Sequence, residues 1–493
     1  MTGSKHILDG YRVLDFTQVV AGPTVTRLMA EMGAEVIKVE LAPGGDLARL
    51  LPFIRDGRSG YFVQQNRGKQ SLCVDARSAE GRQILRDLAG TMDVLVESFA
   101  PGAIGRLGLD WDTVHGLNPR LVMCSISAFG QTGPMAGLPG YDYIAQAYAG
   151  FTDLIGEEGG SPYFPQLAFG DAATGGFALA AVLAALLHRE RGGPGQYLDV
   201  SLLDVYLNGQ EIAVQAASLS DGAVVPRRTG RQHFSVCPLG IFRGAQGYLV
   251  IVGLGKQWDQ LCRVLGRPEL AGDPRYATNA ARVEHVDEVA ALIEAWLARV
   301  GDDAEAIRLL EAERVPVAPV LSVPEVMRLP QVQARGAVRT VVDRALGAFE
   351  IPGMPLRFSA FAEPLDLDAP FLGEHNAAVL QRHLGYDAAR IAALEAAGVL
   401  HHETARQARR GRSADRRERA LPPFFSPAHR GSCPRPADAD GGQIVPRHQP
   451  PGVVPARHAE AVVAQVVRDH VAQHQRLGAR ANWPAAPSPQ STM

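Results

Sequence analysis

Apolar positions in the first 130 residues fall into short blocks separated by amphipathic stretches. YRVLDF (11–16), EVIKVEL (35–41), DVLVESF (93–99) and LVMCSISAF (121–129) read as strands. Segments 23–33, 79–90 and 101–117 read as helices between them. Strand–helix alternation predicts a parallel sheet with helices on both faces. EVIKVEL and LVMCSISAF are apolar on both faces, as central parallel strands are. Ligands in such sheets sit at the carboxyl ends of the strands. That places AGP (21–23), GGD (44–46) and SFAPG (98–102) near a site.

Further along, 171–191 reads as a helix with a broad apolar face. QYLDVSLLDV (196–205) reads as a strand running into a helix. The pattern breaks at SDGAVVPRRTGR, a linker. PLGIFRGAQGYLVIVGLG (238–255) reads as a hairpin, followed by WDQLCRVLG and a helical stretch over 285–313. The Pro-rich PVAPVLSVPEVM (316–327) returns the chain to the first domain, where 334–361 reads as strands and 371–399 as closing helices. The expected organisation is a large domain begun by 1–225, a small α/β domain over 226–325 and a return segment over 326–400. A disordered tail is expected over 401–493, where lysine is absent and seven of the 14 histidines are scattered.

Composition narrows the function classes. A charge of −3, from 49 basic and 52 acidic residues, indicates neither nucleic acid nor a polyanionic partner. The five cysteines, Cys73, Cys124, Cys237, Cys262 and Cys433, form no CxxC pair, which argues against a disulfide framework or thiolate metal site and fits a reducing cytoplasm. The N-terminus has no signal-peptide pattern, and the longest apolar run, Phe177 to Leu187, is too short to span a bilayer, so no membrane is expected. HExxH, GxSxG, Walker A and GxGxxG motifs are absent, and no metal or permanently bound cofactor is expected.

The chemistry concentrates at Asp171. It opens a long apolar run and stands among Gly170, Ala172, Ala173, Thr174, Gly175 and Gly176. An acid ringed by small residues can be approached by something large. Asp before an apolar-periodic segment is equally a helix N-cap, and the two readings are compatible. A carboxylate at a helix N-terminus is favoured as an anion, so its pKa is expected to tend downward.

Several segments together resemble the class III CoA-transferases, a family that includes the alpha-methylacyl-CoA racemases. They are LDGYRVLDFTQVVAGPTVTRLMAEMGAEVIKVE (8–40), NRGKQSLCVDARSAEG (66–81), SFAPGAIGRLGLDWDTVHGLNPRLVMCSISAFGQTGP (98–134), GYDYIAQAYAGF (140–151), FGDAATGGFALAAVLAALLHRERGGPGQYLDVSLLD (169–204) and PFLGEHNAAVLQRHLGY (370–386). The resemblance covers roughly residues 8–400. It implies a large Rossmann-like parallel-sheet domain plus a smaller α/β domain, in an interlocked homodimer. It makes Asp171 the nucleophile on an acyl-CoA thioester, with a small carboxylic acid as acceptor and coenzyme A as substrate.

The resemblance also assigns a CoA groove to Val19, Ala21, Gly22 and Pro23, and to Ser98, Phe99 and Arg106, with Ser98 where the family usually has Asn. Lys69 and Arg67 are weaker phosphate candidates that read rather as surface charge. The racemase branch has a His-Asp pair where this chain has Tyr141-Asp142, so alpha-proton abstraction lacks its imidazole base and transfer is favoured. Tyr141 and Asp142 are candidates for substrate contact or local structure. Gly253 and Gly255, in VGLGKQW, match a loop that shields the site, or serve as a plain hairpin turn. Arg227, Arg228 and Arg231 are candidate carboxylate clamps or surface arginines. The alternatives to a transferase are a racemase or isomerase of the same family, and a CoA-binding protein without catalysis.

Overall fold

A computed structural model describes residues 6–361 and 365–403. The tail after Glu403, with Cys433, lies outside them.

The first strand, β1 (Arg12–Phe16), leads into α1 (Ala21–Glu31) and β2 (Glu35–Leu41). A small hairpin, β3 (Ile54–Arg55) and β4 (Arg58–Ser59), precedes α2 (Gly60–Asn66) and β5 (Lys69–Val74). The chain continues through α3 (Ala79–Ala89), β6 (Val94–Glu97), α4 (Trp111–Leu117) and β7 (Val122–Ser127). Then come α5 (Asp142–Tyr148), the long α6 (Phe169–Glu190), β8 (Tyr197–Ser201), α7 (Leu202–Asn208) and α8 (Ala213–Leu219).

Six strands form one parallel sheet in the order β5-β2-β1-β6-β7-β8. The order reverses between β1 and β6, the switch point where α/β sheets open a ligand crevice. β2 and β7 are buried on both faces, as their apolar runs require. β5 escaped the sequence reading because it starts on Lys69-Gln70-Ser71 and its apolar part is short. The expected helix over 101–117 is interrupted: Gly108 sits at φ 75, and Asp110 starts α4 by accepting the Thr113 N–H at 3.0 Å.

On one face of the sheet, Val25 and Met29 of α1 and Ala178, Val182 and Leu186 of α6 pack with Val13, Val36, Val94 and Val122. α6 alone among the described residues is long and apolar enough to cross a membrane by length and composition, yet this face of it is sheet core. The other face buries Leu14, Ile37, Leu72 and Leu95 under Ile84 and Leu88 of α3.

A separate core gathers around Trp258, Ile293 and Trp296. It belongs to the hairpin β9 (Leu239–Arg243) and β10 (Tyr248–Val252), with α9 (Lys256–Val264), α10 (Asn279–Glu284), α11 (Val286–Val300), α12 (Asp303–Ala312) and β11 (Val317–Pro319). Two short helices, α13 (Val323–Val326) and α14 (Pro330–Ala334), lead to the hairpin of β12 (Val338–Asp343) and β13 (Gly347–Pro352). α15 (Asn376–Leu384) and α16 (Ala388–Ala396) then add Val379, Leu380 and Ile391 to the first core. The closing segment pairs with the β5 edge through His401 N–H to Cys73 O at 3.0 Å.

Candidate active site

Asp171 lies in the first turn of α6, but it does not cap it. The N-cap position is Ala168, which makes no side-chain cap bond. The turn is held from outside instead. Tyr206 of α7 accepts the Gly170 N–H at 3.0 Å, and Asp142, the first residue of α5, accepts the Asp171 N–H through Oδ2 at 2.6 Å. The Tyr206 hydroxyl donates to Asp142 Oδ1 at 2.8 Å and accepts from Gln146 Nε2 at 3.0 Å. Asp142, Gln146 and Tyr206 are all buried. Gly170 is required for this seat, because a Cβ there would lie 2.2 Å from the Tyr206 ring.

No hydrogen bond reaches the Asp171 carboxylate among the described residues. Burial, and then the negative charge of Asp142, push its pKa up to about 7. The downward tendency expected from the helix terminus is overturned. The N-terminal N–H groups are taken by Tyr206 and Asp142, so desolvation and a like charge dominate. Burial raises Asp142 as well. Asp171 in turn raises Tyr61 of α2, after burial, and so does Asp46. Burial lifts the thiols of Cys73, Cys124 and Cys262 to about 12 and that of Cys237 to about 11, so none of these four supplies a thiolate at neutral pH.

The loop after β1 lies beside this turn. A Cβ on Gly175, one helical turn beyond Asp171, would meet the Ala21 carbonyl oxygen and the Thr24 side chain at 2.7 Å. α1 and α6 therefore touch backbone to backbone at the start of both helices. Ala21, Gly22 and Pro23 are buried in that packing, and the part of the loop left partly open is Gln18, Val19 and Val20. Ser98, after β6, accepts the Gln18 N–H at 3.1 Å and ties the two crevice loops together. The Phe99 N–H donates to Glu97 at 2.7 Å, and its ring meets Phe16 edge-on at 6.4 Å. Arg106 is exposed at the end of a short 3-10 turn.

Other candidates settle elsewhere. Lys69 and Arg67 are 3% and 1% exposed, which overturns the surface reading and leaves neither open to a phosphate. Lys69 pairs with Asp15 at 2.9 Å, and Arg67 pairs with Glu31. Arg228 pairs with Asp153 and Arg231 with Glu294, while Arg227 is exposed. Gly253 and Gly255 follow β10 rather than forming the β9–β10 turn, which correctly belongs to residues 244–247. Gly253 faces Pro238, and Gly255 precedes α9 at φ 52. Tyr141 precedes α5 and is 65% exposed. Tyr206 and Gln146 were not singled out from the sequence; both lie in apolar helical segments without local chemical context.

The sequence profile of CoA-transferase family III matches residues 8–376, and the chain belongs to that family. It is 38% identical over 390 residues to the succinate–glutarate CoA-transferase of Agrobacterium fabrum, covering 77% of this chain and 96% of that one. The formyl-CoA:oxalate CoA-transferase of Escherichia coli O6:H1 is 35% identical over 410 residues, covering 79% and 98%. A CaiB/BaiF family protein from Brucella suis superposes with a TM-score of 0.66 at 34% identity, covering 77% of this chain and 99% of that structure.

Proposed function

We propose that this CoA-transferase moves CoA from a dicarboxylic acyl-CoA, such as succinyl-CoA, to a second dicarboxylic acid, such as glutarate, with Asp171 as covalent carrier. The observation that carries the reading is the Asp171 carboxylate itself: held at a fixed place through its backbone, free of hydrogen bonds, and partly desolvated. A carboxylate stripped of solvent and made more basic is a better nucleophile. The acids come from the names of the similar enzymes: one pairs succinate with glutarate and the other formyl-CoA with oxalate, so each name includes a dicarboxylic acid.

In the proposed sequence, an Asp171 oxygen attacks the thioester carbonyl, giving an aspartyl-acyl anhydride and CoA thiolate. The thiolate attacks the aspartyl carbonyl, leaving an aspartyl-CoA thioester and the free donor acid. The acceptor carboxylate attacks that thioester, forming a second anhydride and thiolate. The thiolate then takes the new acyl group and restores the Asp171 carboxylate. No net proton or electron is consumed. Val19 with the rest of its loop, Ser98, Phe99 and Arg106 border the CoA, while Tyr141 and the Gly253–Gly255 segment contact the acyl part. Asp142 holds the nucleophile.

Residues 1–225 and 326–400 are read as the large domain and 226–325 as the small one. A homodimer is supported by the second, uncovered face of α6, where Phe169, Phe177 and Leu187 are 62%, 53% and 52% exposed. The cytoplasm is proposed on the cysteine pattern.

Purified protein, succinyl-CoA and glutarate are expected to yield glutaryl-CoA and succinate, read by mass spectrometry. The sizes of the pools must be complementary. Oxalate with formyl-CoA is the comparison. Absence of exchange across acyl-CoA donors and dicarboxylates would overturn the reading, and a twofold chain mass in sedimentation tests the dimer.

A further inference from the structure

Val19 is a β-branched residue at φ 67, a left-handed conformation that a valine adopts only under constraint. Its backbone N–H donates to Asp46 Oδ1 at 3.2 Å. The same oxygen accepts the Ala48 N–H at 2.9 Å, starting the short 3-10 turn that follows β2. The other carboxylate oxygen lies 2.8 Å from Lys38 Nζ, with both side chains fully buried. Lys38 then donates to the Thr17 carbonyl oxygen, also at 2.8 Å. A single ion pair thus grips the loop on both sides of Gln18.

The rest of the loop leaves no slack. Asp15 accepts the Thr17 N–H at 2.8 Å, and Ser98 accepts the Gln18 N–H. A Cβ on Gly22 would lie 2.3 Å from Thr17 Cγ2. Past Val19, the chain enters α1, which is pressed against α6 at Gly175, one turn beyond Asp171. A buried ion pair is weak evidence for stability alone, because desolvation of both charges offsets their attraction. Here its geometry acts on backbone conformation instead.

We infer that the Lys38–Asp46 ion pair is a latch that holds Val19 in its left-handed conformation and thereby shapes the acyl-CoA groove beside Asp171. The inference rests on the reading of the Val19 loop as part of that groove. Asp46 and Lys38 are positioning residues: they act on CoA through Val19.

The test is a rescue. Lys38→Met with Asp46→Ala removes the pair without leaving one charge buried alone. This double variant is expected to raise the Kd for CoA and the KM for succinyl-CoA about tenfold, with kcat within about threefold. Adding Val19→Gly lets the backbone take positive φ without an acceptor, and is expected to restore most of the affinity. A merely structural role for the pair would not be rescued by glycine at 19. Lys38→Met with Asp46→Asn, which keeps an acceptor for the N–H and loses both charges, is the milder variant should the first double fail to fold, and is expected to weaken CoA binding in the same direction. Unchanged CoA affinity in the folded variants, or no recovery with Val19→Gly, overturns the latch while leaving CoA transfer standing. Failure of the wild type to bind CoA overturns the groove reading. A crystal structure of the double variant decides the latch independently: Val19 is expected at negative φ, and persistence near its present angle overturns it.

Discussion

Asp142 Oδ2 accepts the backbone N–H of Asp171 at 2.6 Å, so the carboxylate that holds the proposed nucleophile in place also repels its charge. The two effects have one source, and a pH profile separates them. In the proposed reaction Asp171 attacks as the carboxylate, and burial and Asp142 push its pKa up to about 7. kcat/KM is therefore expected to rise with pH through about 7 and level off above it. Asp142→Asn keeps an acceptor for the N–H but removes the charge. Its inflection is expected about one unit lower, and a profile that does not move would assign the inflection to another group.

Stability carries the opposite sign. A carboxylate whose folded pKa lies above its unfolded value makes no difference well below both. It destabilises the fold increasingly as pH rises from the unfolded pKa toward the folded one. Asp171→Asn is expected to match the wild type near pH 4 and to exceed it at pH 8 by on the order of 1–2 kcal/mol, solvent screening of the partly buried group included. Urea melts at the two pH values check this. Equal stability at pH 8 would mean that the site is not desolvated as described.

Tyr206 joins Gly170, Asp142 and Gln146 through one hydroxyl. Tyr206→Phe leaves the buried Asp142 and Gln146 with unmet bonds, an expected loss of about 1–3 kcal/mol. Gly170→Ala drives a methyl into the same ring and shifts the α6 start. A displacement of that kind is expected to lower kcat on the order of a hundredfold while leaving overall helix content intact. Calorimetry, circular dichroism and steady-state rates together check the pair. An active Gly170→Ala enzyme would show that the close approach is not needed.

Much of this arrangement is legible in the residues. EVIKVEL and LVMCSISAF announce buried parallel strands because both faces are apolar, and Asp171 stands out as a lone acid among small residues. Its electrostatics do not, because they depend on which groups occupy the helix N–H groups. That role falls to Tyr206, 35 positions later, and to Asp142, 29 earlier. Lys69 and Arg67 show the same limit: a basic pair beside Gly68 reads as surface, and only the folded chain brings Asp15 of β1 and Glu31 at the end of α1 to them. Val19 gives no local sign at all, since the carboxylate that its N–H meets, Asp46, comes from the next loop.

The proposed covalent carrier can be caught. If an Asp171 oxygen attacks the thioester, enzyme given succinyl-CoA without acceptor accumulates an activated Asp171 carbonyl, as anhydride or CoA thioester. Hydroxylamine converts that carbonyl to a hydroxamate, and borohydride reduces it to the alcohol. A free carboxylate is inert to both. The expected result is a mass change confined to the peptide containing Asp171, dependent on the donor and absent in Asp171→Ala. Glutarate added before the quench is expected to change the acyl group released and to deplete the label, because the acceptor consumes the aspartyl thioester. Survival of the intermediate requires that water be kept out, so label yield should fall in Gly170→Ala, where the turn is displaced. Transfer that proceeds at full rate with no labelled peptide, or with unchanged rate in Asp171→Ala, would remove Asp171 as nucleophile and leave it a desolvated acid without a reaction to perform.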